Sequence, residues 1–102
     1  MRQIRRGTTP THSFTTNVDL TNASVIYVTY SQFGQTVIEE NKNNMTVSST
    51  GISVPLTQQD TLKIKAGART SVQIRAGLAN GRRIASNIIY LLVKDVLKEE
   101  EI

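Results

Sequence analysis

The sequence predicts an all-β protein, a single antiparallel β-sandwich of about seven short strands, and three observations carry that prediction. Thr, Val and Ile dominate the chain while Pro occurs only twice, a composition that favours strands over helices. Turn residues recur roughly every 8 to 12 positions, the spacing of a sandwich. Asn80-Gly81 lies between two strand-forming runs within Thr70 to Val93, the strongest short-range hairpin pattern a sequence carries. At 102 residues the chain makes one domain, burying roughly 65% of its extended surface.

The elements follow in order. Residues 1–10 are basic, then rich in Gly, Thr and Pro, and read as an extended arm; residues 11–97 form the sandwich and residues 98–102 a charged, frayed tail. Thr11 to Val18 is the first strand, anchored by Phe14. Asp19 to Asn22 turns the chain into a β-branched and aromatic strand, Ser24 to Ser31, and Phe33-Gly34 turns it again into Gln35 to Glu40. After the polar loop Asn41 to Asn44, Met45 and Val47 alternate with polar neighbours, as do Ile52, Val54 and Leu56. A hairpin pairing Val47 with Ile52 gathers these on one face. Thr57-Gln58-Gln59-Asp60 has capping-box spacing, which predicts one helical turn before Leu62 and Ile64.

For the Asn80-Gly81 hairpin, a two-residue type I′ loop with both residues at positive φ sets Val72 opposite Ile89 and Ala76 opposite Ala85. Val72, Ile74, Ala76 and Leu78 then share the core face with Ala85, Ile89, Leu91 and Val93. A three-residue loop, Ala79-Asn80-Gly81 with a bulge at Gly81, is the alternative and swaps the faces of the second strand. Ile84, Ala85, Ile88, Ile89, Leu92, Val96 and Leu97 also recur at helical spacing, so a C-terminal helix competes with the strand, and residues 94–97 are open to either reading. β-Branched and aromatic content favours strand through Val93.

Groups that could carry chemistry are sparse. The absence of Cys removes disulfides, thiolate zinc sites and a cysteine nucleophile. His12 is the single histidine and reads as a surface or strand-edge residue, with no catalytic triad or metal set built around it. Glu39 and Glu40 are adjacent on a strand, so they point to opposite faces and read as solvated side chains. No phosphate-cradling Gly pattern occurs, and no catalytic, cofactor-binding or metal residues are assigned. The arginine-bearing start is followed by no apolar block of a signal peptide, and no run approaches the roughly 20 apolar residues of a membrane span. A protein made in a cytoplasm is expected.

Two surface features point to partners. The strand Ile88 to Val93 is apolar on both faces, so Ile88, Tyr90 and Leu92 form a candidate self-association surface. With a net charge of +4, the interval Thr61 to Arg83 carries Lys63, Lys65, Arg69, Arg75, Arg82 and Arg83 without an acidic residue. These six are a candidate nucleic-acid patch, with Tyr27, Tyr30 or Phe33 available for stacking.

The opening Ile4-Arg5-Arg6-Gly7-Thr8-Thr9-Pro10-Thr11-His12-Ser13-Phe14, the segments Val28 to Gln32 and Leu56 to Leu62, and Ala85 to Ile89 followed by Val93, Val96 and Leu97 carry a resemblance along nearly the whole chain. It resembles short structural proteins encoded in phages and prophages of Gram-positive bacteria, and more distantly the immunoglobulin-like N-terminal domains of phage upper-baseplate proteins. The resemblance implies an immunoglobulin-like sandwich serving, without enzymatic activity or cofactor, as a virion or baseplate assembly module. Its partners would be further copies of itself or other virion proteins, and its location the host cytoplasm and then the assembled virion. Tyr90 and Leu92 stand where that group leads one to expect polar residues. The other expectation is a nucleic-acid-binding accessory protein using the Lys63 to Arg83 patch.

Overall fold

In the computed structural model, which describes residues 2–102, strands dominate and pack as two facing sheets, the all-β sandwich expected from composition. The larger sheet has the order β1 (Arg2–Arg5), β9 (Ile89–Lys94), β7 (Arg69–Gly77), β3 (Val25–Gln32), β4 (Gln35–Asn41), with β8 (Arg83–Ala85) pairing the far end of β7. The smaller sheet has the order β2 (Thr11–Thr15), β6 (Gly51–Pro55), β5 (Thr46–Val47). Between β6 and β7 runs one α-helical turn, α1 (Gln58–Leu62), and its capping box forms as the spacing predicts. Asp60 N–H donates to Thr57 Oγ1 at 3.1 Å, and Thr57 N–H to Asp60 Oδ2 at 3.3 Å.

The core lies where the inward rows of the two sheets meet. Ile26, Val28 and Tyr30 of β3, Val72 and Ile74 of β7 and Leu91 and Val93 of β9 face Phe14, Ile52 and Val54 of the smaller sheet. Phe14 is the anchor its strand was expected to need, and Val47 pairs with Ile52 as expected. His12 lies half-buried on the inward side of β2, where its Nδ1 meets the hydroxyl of fully buried Tyr30 at 2.7 Å. That contact satisfies a polar atom that burial would otherwise strand, at a cost of roughly 1–3 kcal/mol.

Several expectations need correction. Residues 2–5, read as an arm apart from the sandwich, are extended but belong to the sheet. β1 pairs in parallel with β9, placing Ile4 beside Val93 in the core, so the sheet is mixed rather than wholly antiparallel. Nine strands are present among the described residues, because β1 is an addition and the expected last strand is broken into β8 and β9. The turn at Asn80-Gly81 is not type I′, since Gly81 is at φ +90 but Asn80 is not at positive φ. Gly81 N–H donates to Leu78 O and Leu78 N–H to Arg82 O, closing the three-residue loop with its bulge at Gly81, while Asn80 Oδ1 accepts from Arg82 N–H. The two-residue turn with both central residues at positive φ sits instead at Phe33-Gly34, between paired Gln32 and Gln35.

The extra loop residue pairs Ala76 with Ile84 and Arg75 with Ala85, so Ile84 takes the inward place expected of Ala85. A second irregularity then reverses the shift. Three residues, Ser86 to Ile88, stand opposite Gln73 and Ile74, and Val72 meets Ile89 as predicted. Ser86 holds this bulge by donating its N–H to Ile74 O at 2.8 Å and accepting Ile74 N–H on Oγ at 3.0 Å. Two one-residue shifts of opposite sense cancel, leaving Ile89, Leu91 and Val93 directed inward.

Beyond Lys94 the chain forms neither helix nor strand. The helical competitor loses because its apolar stripe is spent on the sheet. Residues 95–102 lie against the turn of α1: the Arg6 guanidinium meets Asp95 at 3.0 Å and Glu99 at 2.8 Å, and Gln58 exchanges two hydrogen bonds with the Ile102 backbone.

Candidate docking face

Alternation along β3, β7 and β9 sends one set of side chains into the core and the other onto the outer face of the larger sheet. On β9 that outer set is Tyr90 and Leu92, and on β7 it is Arg69, Ser71, Gln73 and Arg75. On β3 it is Val25, Tyr27, Thr29 and Ser31, with Glu39 of β4 beside Thr29. Among the described residues eight large apolar side chains are exposed, and five of them belong to this face: Val25, Tyr27, Phe33, Ile88 and Tyr90. Concentration on one face separates this set from the scattered apolar residues every surface carries.

The Tyr90 and Phe33 rings are paired with cations. The Arg69 guanidinium lies 4.4 Å from the Tyr90 ring centre, reaching diagonally across the β7–β9 ladder, and Lys65 Nζ lies 5.8 Å from that of Phe33. Between these pairs Thr29, Ser31, Ser71, Gln73, Phe33 and Ile88 line a shallow, open furrow of about 580 Å³. Gln73 is held by a hydrogen bond from its Nε2 to Ser86 O at 3.0 Å. The strip can therefore offer hydroxyl and amide groups flanked by aromatic and cationic ones.

The residues named from sequence divide as follows. Ile88 and Tyr90 are exposed on this face, 50% and 40% accessible, while Leu92 is half-buried between Gln3 and Arg69 on neighbouring strands. Arg69, Arg75 and Arg83 share the same face, so two surfaces read separately in the sequence merge. Lys65 reaches it through Phe33. Arg82 lies in the turn, one residue out of step with Arg83, and Lys63 Nζ sits 3.9 Å from Asp60 on another side of the molecule. Of the three aromatic residues offered for stacking, Tyr27 and Phe33 are on the face and Tyr30 is in the core.

Sequence reading missed Val25 and Glu39 as members of this face because β3 is apolar on both sides and its register was left open. It also took both glutamates as solvated. Glu39 is exposed, but Glu40 is 8% accessible, with Asn44 Nδ2 donating to its Oε2 at 3.2 Å. Burial first, and then a hydrogen bond with the Asp60 carboxyl, raise the Glu40 carboxyl above its ordinary range.

Among the described residues no group of three His, Asp or Glu side chains is placed to hold a metal ion, and no helix is long and apolar enough to cross a membrane. No family model matches the chain, and no curated protein or solved structure matches it significantly.

Proposed function

We propose that this chain is a non-enzymatic structural or interaction module of a phage particle, an immunoglobulin-like sandwich that docks through the outer face of its larger sheet. The observation that carries the docking role is the gathering of Val25, Tyr27, Phe33, Ile88 and Tyr90 on one face. The strand distribution supports the immunoglobulin-like reading. Strands β1, β3, β4, β7, β8 and β9 lie in one sheet and β2, β5 and β6 in the other, with the chain crossing between sheets after β1, β2, β4 and β6. This parallels a variable-type domain, in which an added strand lies beside the sheet of strands C, F and G. Phage origin, and with it a host cytoplasm followed by an assembled virion, rests on the sequence resemblance. The partners are further copies of the chain or other virion proteins.

The test is the mass of the purified protein in solution, followed by probing assembled particles for it. The unmodified chain should run as an oligomer and Tyr90→Lys/Leu92→Thr as a folded monomer. A monomeric parent would refute self-association through this face, and a double variant that unfolds would assign the face to the domain's own core.

Nucleic acid is the second reading, favoured by the placement of Tyr27 and Phe33 on one sheet with Arg69, Arg75 and Arg83. Against it, Glu39 stands on the same face, and Lys63 is engaged by Asp60. Submicromolar binding to a generic oligonucleotide near physiological salt, lost in Lys65→Glu/Arg69→Glu/Arg75→Glu, would promote it.

A further inference from the structure

The outer face is not self-complementary in charge. Arg5 of β1, Lys94 of β9, Arg69 and Arg75 of β7 and Arg83 of β8 all project from it, against Glu39 alone among the acidic side chains of its strands. A two-fold contact applies the same patch to itself, so stacking two such faces would bring these cations together well within a Debye length of about 8 Å. Self-association through this face requires a different, acidic patch from the second copy.

The chain carries one. Asp95-Val96-Leu97-Lys98-Glu99-Glu100-Glu101-Ile102 has four acidic residues and one lysine, half of the chain's eight acidic residues in eight positions. Its two exposed large apolar side chains, Leu97 and Ile102, are 105% and 90% accessible, which leaves them as much in need of cover as the outer face. Glu100 and Glu101 are exposed as well. Arg5, at the rim of that face, donates to Asp95 O at 2.7 Å, and beyond it the segment is held against α1, since Arg6 grips Asp95 and Glu99 from one side and Gln58 brackets the Ile102 backbone from another.

We infer that the outer face takes the acidic C-terminal segment, residues 95–102, of a second copy of this chain; this rests on the reading of that face as a self-association surface. Glu100 and Glu101 meet Arg69, Arg75 and Arg83, while Leu97 and Ile102 cover the apolar side chains around Tyr90. The contact is head-to-tail: every copy offers one face and one segment, so the assembly grows into a closed ring or an open filament instead of stopping at a pair. A short segment makes a small contact, and closure of a ring multiplies its strength through effective concentration.

Glu100→Lys/Glu101→Lys leaves Glu99 on Arg6 and changes only exposed side chains, so the fold is kept. Light scattering of the full chain should show self-association that falls with rising salt. In the tail variant it should weaken at least about tenfold, the equivalent of about 1.4 kcal/mol. The tail variant, whose face is intact, mixed with Tyr90→Lys/Leu92→Thr, whose segment is intact, should form a one-to-one complex although each alone is monomeric. If the tail variant associates as strongly as the parent, the segment is not the occupant, although the outer face can still be the contact. A monomeric parent removes both readings, and a monomeric parent that binds a single-stranded oligonucleotide at physiological salt assigns the face to nucleic acid.

Discussion

Replacing Gln32 with Leu isolates the value of one buried amide. Gln32 is 3% accessible at the end of β3, and its Nε2 donates to Lys65 O at 3.0 Å and to Thr70 Oγ1 at 3.1 Å, while its Oε1 accepts from Lys65 N–H at 2.9 Å. Leu has a similar volume, so the substitution deletes three hydrogen bonds without opening a cavity. Lys65 is exposed and its backbone groups can turn to water, which limits their loss to roughly 1 kcal/mol each. The Thr70 hydroxyl is fully buried and is left without the Gln32 donor, a further cost of roughly 1–3 kcal/mol. Added apolar burial returns about 1–2 kcal/mol, for a net loss of about 2–3 kcal/mol. In a domain of this size that lowers Tm by about 10–20 °C. Urea unfolding is the assay, and the midpoint should fall with an unchanged slope. Adding Thr70→Val to Gln32→Leu should cost little more, because the abandoned hydroxyl leaves with it. A loss under about 1 kcal/mol for Gln32→Leu would refute the reasoning, since the three bonds would then be worth no more than their hydrated equivalents.

Two further outcomes follow from the fold. Glu40→Gln should stabilise the protein by about 1 kcal/mol at neutral pH and have little effect below about pH 4. A carboxyl whose folded value is raised contributes stability below its unfolded value that is lost as pH rises through the folded value, and Gln keeps a partner for both Asn44 and Asp60 without the charge; unfolding scans at the two pH values check the difference. Gly81→Val should cost at least about 1 kcal/mol by urea midpoint, because φ is +90 there and the space a Cβ would enter is open, so the penalty comes from the backbone alone.

Local patterns were legible in the sequence and distant partners were not. The capping box at Thr57 and Asp60 and the pairing of Val47 with Ile52 follow from residues close in the chain or joined by a short turn, whereas the inward direction of Ile89, Leu91 and Val93 matches the expectation only because the bulge at Ser86 to Ile88 cancels the extra residue of the loop. The outward direction of Tyr90 and Leu92 came from the same alternation, and it led to part of the candidate face. Nothing near Ile4 announces that its partner is Val93, because a parallel pairing across almost the whole chain leaves no periodic trace at either end. Turn chemistry misled in a specific way. Asn80-Gly81 has the residues of a type I′ turn, but the Asn80 side chain takes the Arg82 N–H, and Gly81 alone adopts positive φ. The strained turn went to Phe33-Gly34, where propensity argues against an aromatic residue at φ 54. Glu40 is misjudged because alternation alone does not tell that Asn44, in the 3-10 turn Lys42–Asn44, and helix residue Asp60 close over one face of β4.

The parallel pairing of β1 with β9 also dictates the order in which the molecule can be finished. β9 is laid between β1 and β7 yet is the last strand of the chain, so until residues 89–94 are available β7 keeps an unpaired edge along Arg69 to Val72 and β1 has no partner in its sheet. Closing contacts that span the chain carries the largest loop entropy and places completion of the larger sheet late in folding. During that interval the open β7 edge is a template for another chain's strand, a hazard that grows with protein concentration. Fast synthesis at high copy number is therefore the condition under which this fold most needs a holding chaperone, and truncations that remove β9 should partition to aggregates instead of accumulating as soluble fragments.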